Sequence, residues 1–369
     1  MRVGGASRAE LADATGMSRP TAGKIVDELL EAGVLEEQEL EPDPGRLGRP
    51  GRRVTLESRA PRFLLIEVGV HRTSVAAVPL GVRADVAWAT SFATPPSEVR
   101  FLRKLEAVIG ELAIESPWAF ALSLPGVVDE PSGLSIYSPN LHWTEGTRLP
   151  RGLSRRLGIP GCALQEIRAL ALGQLSGSPA ETDFLHVDCD DGLGAAAVLG
   201  GRLFASALPM AGELGHTHVL GNTRRCGCGS TGCIETLAAR PGLLTSYAQT
   251  RRSRPEWASA MAQLAGGPTP AWLRETVEAL GTVLGGALNV LGLSRVVLTG
   301  AFADLPPAAI GHVRTAVDRG TLAARFAEVH VATAERRRAH GMVRALFERL
   351  LIPTSDWNEP CGRTHLSTR

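Results

Sequence analysis

The chain has 369 residues, 44% hydrophobic and 21% charged, an ordinary globular composition with length for two or three domains; a short disulfide-stapled scaffold is excluded. Its 39 Lys+Arg balance 38 Asp+Glu to a formal net charge of +1, so any cations that hold nucleic acid must be local. Only Lys24 and Lys104 are lysines, and neither sits in a Walker A loop.

Ser7-Arg8-Ala9-Glu10 is a capping box, in which hydroxyl and carboxylate each satisfy an amide at a helix start. The helix it opens ends at Gly16, a residue that takes the left-handed C-terminal conformation without steric cost. Ser18 caps a second helix with Pro20 in its first turn and an apolar stripe Ala22, Ile25, Val26, Leu29, Leu30, ended by Gly33. Two short helices around a tight glycine turn make a helix-turn-helix unit. Arg19, Thr21 and Lys24 fall on the face away from the stripe, as a recognition helix in a major groove requires. Val34-Leu35 and Arg53-Val54-Thr55-Leu56 outline a β-hairpin wing, and its loop carries Arg46, Arg49, Arg52 and Arg53 among glycines and prolines. Arginine suits both phosphates and a narrow minor groove. The competing reading is a plain packing hairpin, since residues 1 to 60 hold nine Lys/Arg against eleven Asp/Glu. Only six residues precede Ser7, so the helix that normally precedes such a pair is expected to be truncated.

From Phe63 the pattern becomes strand, turn and helix. Phe63 to Val70, Ser74 to Val78 and Trp118 to Gly126 read as strands around an amphipathic helix from Val99 to Ile114. A second round runs through Phe184-Leu185-His186-Val187, Gly192 to Leu199, a helix from Trp272 to Leu291 and the strand Arg295 to Gly300. Two such α/β rounds predict two lobes with a cleft between them. No apolar run approaches the roughly 18 to 20 residues that span a bilayer, and the N-terminal residues lack a signal-peptide core, so a cytoplasmic protein without membrane contact is expected.

The strongest chemical signal is Gly212-Glu213-Leu214-Gly215-His216 followed by Cys226-Gly227-Cys228-Gly229-Ser230-Thr231-Gly232-Cys233-Ile234-Glu235. His216, Cys226, Cys228 and Cys233 complete a tetrahedral Zn²⁺ shell with no open position, so the ion is expected to be structural. His218 is a rival ligand, and free loop thiols are the bland alternative. Cys162, Cys189 and Cys361 read as buried or tail thiols, and Thr354 to Arg369 as a polar tail.

The glycine turn after the first strand, Ser135-Ile136-Tyr137-Ser138-Pro139-Asn140, the Glu-x-Gly-His segment and Cys-x-Cys-Gly-x-x-Gly-Cys-x-Glu, in this order, resemble the ROK family of sugar kinases and sugar-responsive repressors. With the N-terminal helix pair the resemblance covers residues 7 to about 350 and lies with the repressor branch, similar to xylose and N-acetylglucosamine repressors. It implies a winged helix-turn-helix at 1–58 and a two-lobed, actin-like and ribonuclease H-like α/β domain. The first lobe is expected at 62–180, with a C-terminal helix 336–351 returning to it, and the second at 181–335 with the zinc segment.

The kinase motifs depart from the family pattern. Glu67-Val68-Gly69-Val70-His71 stands where Asp-x-Gly-Gly-Thr holds phosphate, and Asp190-Asp191-Gly192-Leu193-Gly194 stands at the second phosphate turn. Two carboxylates there repel a nucleotide unless a cation such as Mg²⁺ intervenes. Glu166, in Leu164-Gln165-Glu166-Ile167-Arg168, matches the catalytic base but is one methylene longer, and about 1 Å of misplacement costs on the order of 100-fold in rate. No catalytic residue is therefore expected. The resemblance assigns sugar contact to Asn140, Gln165, Glu166, Glu213, His216 and Glu235, with bracing of the zinc ligands as the alternative role of Glu213 and Glu235. Arg168 is expected to meet an acidic sugar or to pair with Asp190 or Asp191. The function implied is a sugar-responsive DNA-binding regulator, a homodimer or tetramer acting on operator DNA. The alternative is an ATP-dependent sugar kinase with a vestigial N-terminal extension.

Overall fold

The computed structural model describes residues 5–39, 52–81, 88–112, 114–178, 180–206, 208, 210–251, 256–265 and 267–351. Arg46, Arg49, Cys361 and the tail 354–369 lie outside them.

The capping box forms as the sequence requires: Ser7 Oγ accepts from the Glu10 amide, Glu10 Oε2 accepts from the Ser7 amide at 2.7 Å, and α1 (Arg8–Thr15) ends on left-handed Gly16. Ser18 caps α2 (Arg19–Glu31). Of its apolar stripe Ala22 and Val26 are buried, whereas Ile25 is exposed, because only α1 and the following hairpin cover this short helix. That hairpin pairs β1 (Leu35–Glu39) with β2 (Arg52–Leu56), Leu35 opposite Leu56, and Ala6 bonds both ways to Val54 on its outer edge. Arg8 reaches Asp27 at 2.7 Å and Glu37 at 2.9 Å, tying the first helix to the second and to the hairpin. Val34 and Leu56 pack against the cluster around Phe63 and Leu80, and the Gly81 amide donates to Glu57 O at 2.8 Å, so the N-terminal unit docks on the α/β region that begins at Phe63.

That region is built on two five-stranded sheets. The first contains β3 (Phe63–Val68), β4 (Arg72–Val78), β5 (Thr90–Ala93), β6 (Ala119–Leu124) and, after the small hairpin β7 (Val127–Asp129) and β8 (Leu134–Tyr137), β9 (Gly161–Gln165). Their order is β5-β4-β3-β6-β9, with β3, β6 and β9 parallel. Central β3 is buried on both faces, which is why it reads as an unbroken apolar run. Leu64, Ile66 and Val68 face α3 (Glu98–Glu111) and α4 (Leu149–Leu157), while Phe63 and Leu65 face α5 (Glu166–Gly177) and the terminal helix. The second sheet, β12-β11-β10-β13-β14, is built from β10 (Phe184–Cys189), β11 (Leu193–Leu199), β12 (Arg202–Leu203), β13 (Arg295–Gly300) and β14 (His330–Thr333). Leu185, Val187 and Cys189 share its larger core with α6 (Glu235–Ala238), α7 (Arg240–Arg251), α8 (Trp257–Ala265), α9 (Ala271–Leu291) and α10 (Pro307–Gly320).

The helix α11 (Arg338–Leu346) packs on the first sheet through Ala339, Met342 and Leu346. It crosses α5 almost backbone to backbone. A Cβ on Gly173 would collide with the Arg337 carbonyl, and one on Gly341 with the Ala169 carbonyl. This approach brings the arginines at the start of α11 to the first residue of α5, Glu166.

Candidate functional site

A candidate metal centre is assembled by the segment that leads into α6. Ligand atoms of His216, Cys226, Cys228 and Cys233 all lie within 4.8 Å of one another. A metal–sulfur bond of about 2.3 Å places tetrahedral sulfurs about 3.8 Å apart. Cys228 and Cys233 Sγ are 3.8 Å apart, and Cys226 Sγ is 3.6 Å from His216 Nδ1, so this donor set fits a tetrahedral ion; a disulfide needs about 2.05 Å. His218 bonds Ser230 Oγ at 2.8 Å and is not among the four.

Glu213 Oε2 sits 3.6 Å from His216 Nε2, the arrangement in which a carboxylate orients a metal-binding imidazole. Its other oxygen accepts from Gln165 Nε2 at 3.1 Å. Glu235 Oε2 accepts from the Leu193 amide at 2.9 Å, and its Oε1 lies 3.6 Å from Cys226 Sγ, so this carboxylate braces the cluster. Asn140, Glu235, Cys226 and Asp191 line one cavity of about 320 Å³ beside it. Gly126, at φ +84°, lets the chain turn where any Cβ would strike the Tyr137 carbonyl.

Around Glu67, Glu166 and the turn after β10 the chain supplies its own cations. Arg338, only 6% exposed, contacts both Glu67 at the end of β3 and Glu166 at the start of α5. Arg336 clamps Asp188 with Nε at 2.8 Å and Nη2 at 2.7 Å, and its Nη1 reaches Asp190 at 2.6 Å. Arg240 contacts the remaining Asp190 oxygen. The repulsion expected of the acids in this turn is thus answered for Asp190 by guanidiniums. Burial, then the neighbouring Asp188 and Asp191 carboxylates, push the Glu166 carboxyl up to about 7 against the pull of Arg336, and burial brings the Arg338 guanidinium down to about 10.

Arg168 does not meet Asp190 or Asp191. It pairs with Glu130 at 3.1 Å, which also receives Arg349 at 2.5 Å and the Gln165 amide at 2.9 Å. The β7–β8 turn carries Glu130 beneath the α5 N-terminus, and two cations there outweigh the cost of burying a carboxylate, holding it below the usual range. Sequence reasoning missed Arg240, Arg336 and Arg338. The helix expected at 336–351 opens on Arg336-Arg337-Arg338 with nothing local to say which arginine points inward, and the glycine crossing of α5 and α11 turns two of these residues inward.

Buried His186 on β10 completes the network. Thr299 Oγ1 donates its single proton to Asp188 Oδ1 at 2.6 Å, so the 3.1 Å contact with His186 requires the imidazole to donate from Nε2. Its Nδ1 has no partner, and burial lowers the imidazole from 6.5 to about 4. A base held neutral in the folded state takes up a proton on unfolding. Stability is therefore complete above pH 6.5 and falls as pH drops towards 4, by about 3 kcal/mol from this group. Urea unfolding at pH 7 and pH 4.5 should show a loss that His186→Gln flattens.

In the N-terminal unit Arg19, Thr21 and Lys24 are all exposed along α2, with Thr21 Oγ1 2.8 Å from the capping Ser18 hydroxyl and Lys24 3.9 Å from Glu28. Arg52 projects from β2 and reaches Glu37 at 3.0 Å. Among the described residues no helix is long and apolar enough to cross a membrane. Cys162 and Cys189 are buried, and burial pushes the Cys162 thiol up to about 11.

Comparison with known proteins places this geometry. The ROK family model matches residues 66–347. The chain is 26% identical over 251 residues to the DNA-binding transcriptional repressor Mlc of Escherichia coli K12 and 27% identical over 249 residues to the N-acetylglucosamine repressor of Escherichia coli O6:H1. Each match covers 66% of this chain and 61% of the relative, so the chain matches less than two thirds of their length. Among solved structures it resembles a ROK family transcriptional regulator described as a homolog of the E. coli Mlc protein, with a TM-score of 0.77, 21% identity, and 95% and 94% of the two chains covered. It also resembles a ROK family glucokinase from Streptomyces griseus in complex with glucose and AMPPNP, with a TM-score of 0.63, 20% identity, and 77% and 97% coverage. At these identities the likeness to solved structures carries the fold.

Proposed function

Starting from the fact that the chain belongs to the ROK family, we propose that it is a sugar-responsive DNA-binding transcriptional regulator, a repressor, whose kinase-like domain has become a ligand sensor. The observation that carries this reading is the arginine pair of the α11 segment. Arg338 engages both the phosphate-turn acid Glu67 and the base-position acid Glu166, and Arg336 occupies Asp188 and Asp190, so the machinery for transferring phosphate is tied up by the chain itself.

The two short helices and hairpin act as a winged helix-turn-helix. α2 enters a major groove with Arg19, Thr21 and Lys24, and the hairpin arginines Arg46, Arg49 and Arg52 hold phosphates or the minor groove. The names of the two Escherichia coli relatives, a DNA-binding repressor and an N-acetylglucosamine repressor, support both the DNA and the sugar partner. The four-ligand centre holds a structural Zn²⁺ through His216, Cys226, Cys228 and Cys233, and it fixes the sugar-facing set Asn140, Gln165, Glu166, Glu213, His216 and Glu235. The protein works as a homodimer or tetramer, because two half-sites demand paired recognition helices.

The test is a gel shift on the promoter upstream of its own reading frame. Wild-type protein should bind at low salt, and Lys24→Glu, which reverses the single lysine of the recognition helix, should weaken binding at least about tenfold. Absence of binding at low salt, or unaltered affinity in the variant, counts against the reading. The second reading, an ATP-dependent sugar kinase, rests on the retained Glu166, Glu213, His216 and Glu235. Turnover near 1 s⁻¹, the low end of ordinary enzymes, on any sugar with Mg-ATP would establish it instead.

A further inference from the structure

We propose that Arg62 is the positioning residue that aims the recognition helix: through it the first lobe carries the N-terminal unit as one rigid body, and no free linker lies between them. This rests on the proposal of a DNA-binding regulator acting on two half-sites, and adds how its reading helices are held. The first observation is the placement of one guanidinium. Arg62 Cζ lies 5.1 Å from the centroid of the Trp118 ring, a stacking distance for a cation on an aromatic face. A Cβ added to Gly33 would lie 3.3 Å from Arg62 Nη2, so the same guanidinium rests on the turn that ends α2. Gly33 is left-handed there, at φ +67°, and the carbonyl end of a helix attracts a cation. Arg62 Nε is buried without a hydrogen-bond partner, a cost that the contacts of the rest of the group must offset.

The second observation is that the connection itself is braced. The Glu57 amide donates to the Val34 carbonyl at 3.0 Å, and the Glu57 carboxylate accepts from the amides of Arg59 at 2.7 Å and Ala60 at 2.9 Å. Arg62 is tied into the sheet on both sides: its amide donates to the Val78 carbonyl at 2.8 Å, and its carbonyl accepts from the Trp118 amide at 2.7 Å. Ser116, the one described non-glycine residue with a positive φ, at +55°, bends the chain just before Trp118. Such strain persists only where the surrounding structure imposes it. Val34, Leu56 and Trp118 then pack against one cluster of the first lobe. Neighbouring parallel strands β3 and β6 thus carry the support of α2 at one end. At the other end, about 17 Å away at the rise of an extended chain, they carry Glu67 and the Gly126 turn. A rotation of this lobe displaces the recognition helix without slack.

Gel shifts with the full chain, on the promoter upstream of its reading frame and on the same fragment cut to one half of its footprint, test this. Arg62→Leu keeps an apolar stem and loses the cation. It should bind the whole site at least about tenfold more weakly, because two loosened helices must be brought to one spacing on binding. Half a site asks nothing of their relative placement, so the loss there should stay below about twofold. The slope of log K against log salt should match wild type, since Arg62 meets no phosphate. Arg62→Lys, which keeps a cation over the ring, should recover at least about threefold of the loss. Hydrogen exchange in Arg62→Leu should rise at the Glu57 and Gly81 amides, which bond across the junction, and stay unchanged in β10 and β13. Wild-type affinity of Arg62→Leu for the whole site, an equal loss on the half site, or unchanged exchange at Glu57 and Gly81 overturns the inference and leaves the DNA-binding proposal standing. Failure of the wild type to bind either fragment overturns that proposal and the inference with it.

Discussion

Arg338→Met is expected to lower stability by about 3 kcal/mol, visible as an earlier urea midpoint, because it leaves Glu67 and Glu166 facing each other without their shared cation. Removing one partner of a buried ion pair costs about 3–5 kcal/mol, and the lower end applies here because both glutamates keep about a third of their side-chain surface in water. The sign of the repair distinguishes this cause from lost packing of the arginine stem. Adding Glu67→Gln and Glu166→Gln to Arg338→Met should restore much of the loss, since the triple variant buries no unpaired charge. A triple variant as unstable as the single would place the effect in the packing of α11 on α5. Wild-type stability in Arg338→Met would mean that the guanidinium does not join the two acids.

Cys233→Ser should abolish stoichiometric metal and lower the melting temperature by roughly 4 °C, equivalent to about 3 kcal/mol at an unfolding entropy of about 2.1 cal/mol/K per residue. The effect stays well below the about 10–16 kcal/mol of isolated zinc-finger peptides because protein contacts also hold this loop. Asn222 Nδ2 donates to the Cys233 carbonyl at 3.0 Å and to Thr236 Oγ1 at 2.9 Å, and Arg224 bonds the Thr236 carbonyl at 2.8 Å and Ser246 Oγ at 2.8 Å. Elemental analysis gives the metal and its identity, and calorimetry gives the shift. An unchanged melting temperature after complete metal loss would show that the centre does not stabilise the second lobe. His218→Ala should leave metal content intact, because that imidazole is turned towards Ser230.

Much of the molecule is legible in the chain. The capping box, Gly16 and the Ser18 cap mark the first two helices because hydrogen bonds within three residues decide them. The buried strands β3, β10 and β13 declare themselves by short apolar stretches, and the spacing of His216, Cys226, Cys228 and Cys233 names the candidate ligands, while the structure turns the rival His218 to Ser230. The departures at Glu67, Glu166 and Asp190 are equally plain as changes of residue type.

The cations that answer those departures belong to the tertiary structure. Arg338 lies 172 residues from Glu166 in sequence, and nothing local distinguishes it from the neighbouring Arg336 and Arg337. Gly173 and Gly341 let α5 and α11 touch, and that contact turns Arg336 towards Asp188 and Asp190 and Arg338 towards Glu67 and Glu166, while Arg168, which the chain order offers to Asp190, is drawn to Glu130 instead. Local hydrogen bonding and periodicity fix elements and ligand types within a few residues. The partner of a buried charge is chosen by whichever opposite charge the packing of distant helices brings within about 3 Å, and only the assembled core decides that.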